Sequence, residues 1–177
     1  MTALRRAFLA VVPPPAVLGW AESAQRAAAA VMPDLRWTRT EQRHLTVKFF
    51  GPVPDLSSLA ALVTAAVRAR PPFTLALGGG GAFPSPRRAS VLWIGASEGG
   101  EALSELAAPF AADARPFRAH VTLARVSRTR DLRAVVAALD ACADSERWTV
   151  DELVLFDSDT RPDGAVHTEQ ARFGLAR

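Results

Sequence analysis

"RHLTVKFF" (43–50) and "RAHVTLAR" (118–125) decide how this chain is read. Each holds a histidine, an apolar residue, a threonine and a second apolar residue. Together they use two of the three histidines in 177 residues. Side chains alternate faces along a strand. His44, Thr46 and Lys48 therefore share one face of the first segment, with Leu45, Val47 and Phe49 on the other. In the second, His120 and Thr122 stand opposite Val121 and Leu123. Each strand buries an apolar side and offers one imidazole beside one hydroxyl. A single such tetrapeptide is weak evidence, because an isolated histidine in a strand usually bonds locally. Two copies, 76 residues apart in comparable strands, point to one shared cleft.

The surrounding pattern supplies two similar halves. Residues 4–12 read as a strand ending at prolines. Pro15 opens a helix carrying Val17, Leu18, Ala21, Ala24, Ala28 and Val31 at helical spacing, and Pro33 ends it. Residues 35–50 are extended, with a turn near Thr40–Gln42. After a loop at 51–55, Asp55 caps a helix with Leu59, Leu62, Val63, Ala66 and Val67 on one face. Residues 73–83 and 89–96 read as strands. A helix with Leu103, Leu106, Ala107 and Phe110 follows, then a strand over 117–126. Thr129 is expected to cap a helix with Leu132, Val135, Val136 and Leu139. Residues 148–158 and 165–175 complete the set, joined by an "RPDG" turn.

Composition bounds the function classes. Hydrophobic residues make up 49%, enough for a sizeable core, and the length suits one domain, 1–177, of two small lobes. The formal charge is only +3, and Lys48 is the only lysine, so the basic character is arginine. Two accounts of that bias coexist: a nucleotide-composition bias, and the fit of guanidinium forks to phosphate. Cys142 is the only cysteine, which excludes an internal disulfide and argues against a cysteine-based zinc site. "RRAFLA" (5–10) resembles a twin-arginine export signal, but the apolar run stops at Pro13–Pro15. A cytoplasmic protein without a membrane span is expected.

Two imidazoles and two hydroxyls around one point suit phosphodiester chemistry. One ring can take a proton from the attacking oxygen while the other protonates the leaving oxygen. Threonine hydroxyls can bond nonbridging oxygens, and a nearby cation can stabilise transition-state charge. This set requires no metal and no cofactor.

At this point the sequence resembles the 2H phosphoesterases, which carry paired HxTx motifs. It is most similar to their RNA 2′,3′-cyclic phosphodiesterase branch, also called 2′-5′ RNA ligases. The likeness extends from "RAFLAVVPP" (6–14) through "RWTRTEQRHLTVKFFG" (36–51) and "RPFRAHVTLAR" (115–125) to "ELVLFDSDTRPDGAVHTEQARF" (152–173). It implies an α+β, bilobal, pseudo-symmetric fold, with antiparallel sheets lining a central cleft and helices outside. It implies that His44 is the proton donor, His120 the proton acceptor, and Thr46, Thr122 and Arg125 phosphate contacts. Strict alternation puts Arg125 opposite His120, so a strand end or bulge is expected there. Ala119 departs from the proline usual before the second motif, which changes local stiffness only. The partner implied is an RNA end bearing a 2′,3′-cyclic phosphate, opened to a 2′-phosphate by a monomer, with reversible 2′-5′ joining as a second activity.

Other residues carry less. Lys48 reads as solvated, His167 as structural or exposed, and Phe8 and Phe117 as core, with base stacking as the functional alternative. "GGGG" (78–81) lacks the Lys-Ser/Thr of a phosphate loop and reads as a bulge or close-packed turn. Two rivals remain: a 2H enzyme for a small cyclic nucleotide or an ADP-ribose cyclic phosphate, and a non-catalytic RNA-binding module.

Overall fold

Hydrophobic alternation and helical spacing resolve into nine strands and four helices in the computed structural model, which describes residues 3–110, 116–161 and 164–176. The strands are β1 (Leu4–Val11), β2 (Arg36–Trp37), β3 (Leu45–Val53), β4 (Phe73–Phe83), β5 (Ala89–Glu98), β6 (His120–Arg130), β7 (Trp148–Val150), β8 (Glu152–Arg161) and β9 (Gly164–Gly174). The helices are α1 (Pro15–Val31), α2 (Leu56–Val67), α3 (Gly100–Ala107) and α4 (Arg133–Asp140). Neighbouring strands run antiparallel in the order β7-β4-β5-β6-β3-β1-β8-β9, with β2 added beside β6. The architecture is α+β, and the sheet is curled. The two antiparallel sheets expected from the sequence are two four-strand halves of this path. They meet between β3 and β6 at one registered pair, Leu45 opposite Val121.

The helices cover the apolar face. α1 buries Val17, Ala21, Ala24 and Ala28, whose small side chains let it pack closely against α4. α4 lies on β4, with Val135 and Leu139 buried. α2 buries Leu59, Val63 and Val67, each contributing roughly 1.5–3 kcal/mol by transfer from water. Two expected core positions, Val31 and Leu62, are exposed instead, because the buried stripe of each helix is narrower than the run of apolar residues. Asp55 caps α2, accepting from the backbone N–H of Ser57 (3.3 Å) and Ser58 (3.0 Å). Among the described residues no helix is long and apolar enough to cross a membrane.

Two local expectations change. Thr129 lies inside β6 rather than capping α4. The strand continues to Arg130, and Asp131 accepts the Arg133 N–H (3.0 Å) at the helix start. The run 148–158 is two strands in opposite halves of the sheet: β7 pairs with β4, and β8 with β1. The four glycines are a bulge within β4, where Gly79 takes φ +71° and the register against β5 shifts. Gly81 is required by its neighbour, since a Cβ there would sit 2.1 Å from the Trp93 ring. Residues 162 and 163 of the expected "RPDG" turn lie outside the described residues.

Candidate active site

β3 and β6 each interrupt their alternation at the same point of the motif. On β3, Lys48 pairs with Leu9 and Thr46 with Ala10, so Val47 is an extra residue. On β6, Ala124 pairs with Leu92 and Thr122 with Trp93, so Leu123 is extra. Both extra residues are buried. A bulge shifts every later side chain to the other face. Arg125 thereby joins His120 and Thr122, which resolves the tension that strict alternation created. The same shift corrects the expectation for β3. Phe49, not Lys48, joins the cavity of His44 and Thr46, and Lys48 borders an adjoining cleft.

The five residues singled out from the sequence, His44, Thr46, His120, Thr122 and Arg125, line one cavity of about 550 Å³, enough for a nucleotide-sized ligand. The two imidazoles are held alike. His44 Nδ1 lies 2.7 Å from the Gln42 carbonyl oxygen, and His120 Nδ1 lies 2.7 Å from that of Arg118. A carbonyl only accepts, so each ring carries a proton on Nδ1 and leaves Nε2 for the cavity. The carbonyl partner is two residues before the histidine in both strands.

Surroundings distinguish the rings. His44 stacks on Phe8, with centroids 4.7 Å apart. His120 meets Phe83 edge-on at 5.0 Å and Trp93 at 5.9 Å. Burial first, and then the positive charges of His167, His120 and Arg125, push His44 down to about 4, against the pull of the Gln42 carbonyl. His120 is lowered less strongly, by burial and by Arg125, with the Arg118 carbonyl opposing. Without a ligand anion, both rings are therefore neutral at pH 7.

Three features escaped the sequence reading. His167, on β9, lines the same cavity, 5.3 Å from His44 and 4.9 Å from Phe8, both edge-on. Its Nδ1 is buried without a hydrogen-bond partner. No motif flags it, because β9 reaches the site only through pairing with β8. Second, buried Arg43, next to His44, donates to Gln25 of α1 and anchors the turn at Thr40–Gln42 that supplies the His44 carbonyl clamp. Third, Phe49 is 48% exposed, stacks with Phe8 at 6.3 Å and lines the cavity. Of the stacking candidates, Phe8 is a buried cavity wall, while Phe117 lines the adjoining cleft with Phe83, Pro84 and Val47. That cleft shares Thr46, Phe49 and His120 with the cavity, so an apolar groove and a cationic pocket adjoin at the two motifs.

A family model described as the 2′-5′ RNA ligase superfamily matches residues 13–162. A protein of Methanothermobacter thermautotrophicus named RNA 2′,3′-cyclic phosphodiesterase is 28% identical over 182 aligned positions, covering 96% of this chain and 98% of its own. Among solved structures, a Thermus thermophilus protein is 27% identical with TM-score 0.72, covering 96% of this chain and 97% of that one. Escherichia coli LigT, in a complex with 3′-AMP, is 26% identical with TM-score 0.73, covering 99% and 100%.

Proposed function

This chain belongs to the 2′-5′ RNA ligase superfamily, and on that premise we propose that it hydrolyses a terminal 2′,3′-cyclic phosphate on RNA to a 2′-phosphate. The observation that carries this reading is the matched pair of imidazoles. Both are clamped through Nδ1 and both line one cavity with two threonines and Arg125. The names of the relatives supply the substrate class.

In-line hydrolysis needs a base for water and an acid for the departing 3′-oxygen on opposite sides of phosphorus. In this reading the two rings, one from each half of the sheet, take those two positions. Thr46 and Thr122 hold the nonbridging oxygens, and Arg125 stabilises charge growing on them. The role assignment taken from the resemblance, His44 as donor and His120 as acceptor, requires His44 to carry a second proton. With a pKa of about 4 the unliganded site does not hold one at pH 7. A phosphate monoanion between the rings raises the proton affinity of both, and the donor assignment further requires bound substrate to favour the proton on His44, the ring with the lower affinity in the unliganded site. Ligation through a 2′-5′ bond uses the same displacement, with a ribose 5′-hydroxyl attacking in place of water.

The test is product analysis with an oligonucleotide ending in a 2′,3′-cyclic phosphate. A 2′-phosphate product is expected, at full rate in excess EDTA. A 3′-phosphate product means that the substrate lies reversed and the histidines exchange roles. Absence of turnover on the oligonucleotide and on cyclic mononucleotides overturns the catalytic reading in favour of a binding module.

A further inference from the structure

The cavity holds more positive charge than one cyclic phosphate uses. Its lining includes four arginines, Arg6, Arg36, Arg125 and Arg161, and all three histidines, but no aspartate or glutamate among the described residues. A terminal cyclic phosphate carries a single negative charge, which Arg125 and a protonated imidazole can already balance. Arg6 and Arg161 lie away from Arg125, on the wing floored by β1, β8 and β9. Arg6 donates to the Thr160 hydroxyl (2.8 Å) and lies 5.7 Å above the Phe49 ring, between the motif strand β3 and the far strands. Ser158 and Thr160 of β8 pair with His167 and Ala165 of β9, so their side chains form one polar row. Arg161, the last residue of β8, alternates onto the face of Asp159, its one ion-pair partner among the described residues at 3.2 Å, and borders the cavity from the strand end.

His167 completes the row with chemistry unlike that of the motif histidines. They carry their proton on Nδ1, leaving Nε2 bare when neutral. His167 has its Nδ1 buried and unpartnered, and burying a lone N–H donor is costly. The neutral ring therefore keeps its proton on Nε2 and is a hydrogen-bond donor. A donor imidazole, a hydroxyl and two guanidinium groups form an anion site.

We infer that this wing is a second phosphate subsite, in which Arg6, Thr160, Arg161 and His167 hold the phosphate next to the cyclic end of an RNA strand. The inference rests on the reading of the motif cavity as the site of the terminal phosphate. β1 is next to β3, about 5 Å away, and the Arg6 side chain reaches beyond it. The neighbouring phosphate of a bound strand can thus sit over β1 and β8 while its terminal group lies between His44 and His120. The site then selects an RNA end over a free cyclic mononucleotide.

Calorimetry separates the two readings without relying on turnover. The probes are a mononucleotide 2′-phosphate and a dinucleotide with the same 2′-phosphate end. The dinucleotide is expected to bind about tenfold tighter at low salt, as a charge-assisted contact allows. Its log–log salt dependence is expected to be steeper by about 0.7, the single-strand value for one more neutralised phosphate. Arg6→Gln, at an exposed position, is expected to remove most of the tenfold preference, and Arg161→Gln and His167→Phe to reduce it. Equal affinities and equal salt slopes overturn the subsite and leave the proposed function standing. So does a preference that survives Arg6→Gln and Arg161→Gln, which places the extra nucleotide elsewhere. If neither probe binds and no cyclic end is turned over, the reading of the motif cavity falls and the subsite with it.

Discussion

The two halves of the sheet share a backbone and differ in what they hang on it. Around the first motif, Phe8, Leu9, Ala10 and Val11 of β1 pair with Phe49, Lys48, Thr46 and Leu45. Around the second, Val91, Leu92, Trp93 and Ile94 of β5 pair with Arg125, Ala124, Thr122 and Val121. The registers match residue for residue, including the extra residue after each threonine. The fifth residue after the histidine is Phe49 in one half and Arg125 in the other. On the neighbouring strand, Ala10 in one half answers Trp93 in the other. An aromatic surround of Phe8, Phe156 and His167 desolvates His44. His120 sits beside the arginine and is less strongly perturbed. Acid and base must differ in proton affinity, and the symmetric backbone makes them alike. The side chains one strand away make them differ, and in the unliganded site His44 is the weaker proton holder of the two, so its role as acid depends on what the bound substrate adds.

Removing either ring tests that difference most severely. His44→Ala and His120→Ala are each expected to cost about 10²–10⁴-fold in turnover of a ribose cyclic phosphate. A nitrophenyl phosphodiester distinguishes them, because nitrophenolate leaves without a proton. If His44 is the donor, this substrate largely rescues His44→Ala and not His120→Ala. The opposite rescue exchanges the roles and keeps the two-histidine mechanism.

Arg125→Phe makes the second half copy the first. It removes the cation at the fifth position and is expected to lower kcat by about 10²-fold, within the range for loss of one preorganised charge-stabilising donor. The neutral rings must gain a proton when phosphate binds, so calorimetry in buffers of different ionisation enthalpy should show proton uptake at pH 7. Its absence would leave His44 neutral in the complex and unable to act as the acid.

Stability against pH reports the same asymmetry in the unliganded protein. His44 is neutral when folded down to about pH 4, whereas an unfolded histidine protonates near its ordinary 6.5. The unfolded chain therefore binds more protons between those values, and stability falls as pH drops through that window. The loss from His44 approaches about 3 kcal/mol by the lower end, at about 1.4 kcal/mol for each unit of pH. Denaturant melts from pH 7 to 4 should show this loss, and His44→Gln should flatten the curve. The smallest expected effect lies outside the site. Asp55→Ala removes the α2 cap and should cost about 1 kcal/mol in the same melts, with turnover unchanged.

The order of strands and helices, the Asp55 cap, the glycine bulge and the pairing of two His-x-Thr strands were all legible in the sequence. Each is a local matter of side-chain period, capping chemistry or missing Cβ atoms; the paired motif named four residues, the family resemblance added Arg125, and all five share a cavity. What the chain alone could not decide depended on neighbours distant in sequence. A bulge is a mismatch between two strands, so the alternation of one strand does not reveal it; strict alternation puts Phe49 on the wrong face for that reason. The run 148–158 is uniformly strand-like, and only its partners β4 and β1 divide it. His167 carries no motif and arrives beside His44 through β8–β9 and β1–β8 pairing, while the depressed proton affinity of His44 comes from packing around it. Which groups can do the chemistry follows from the order of residues alone. The tertiary structure decided which faces they share and what proton affinity each holds, because register and desolvation arise only when separate strands come together.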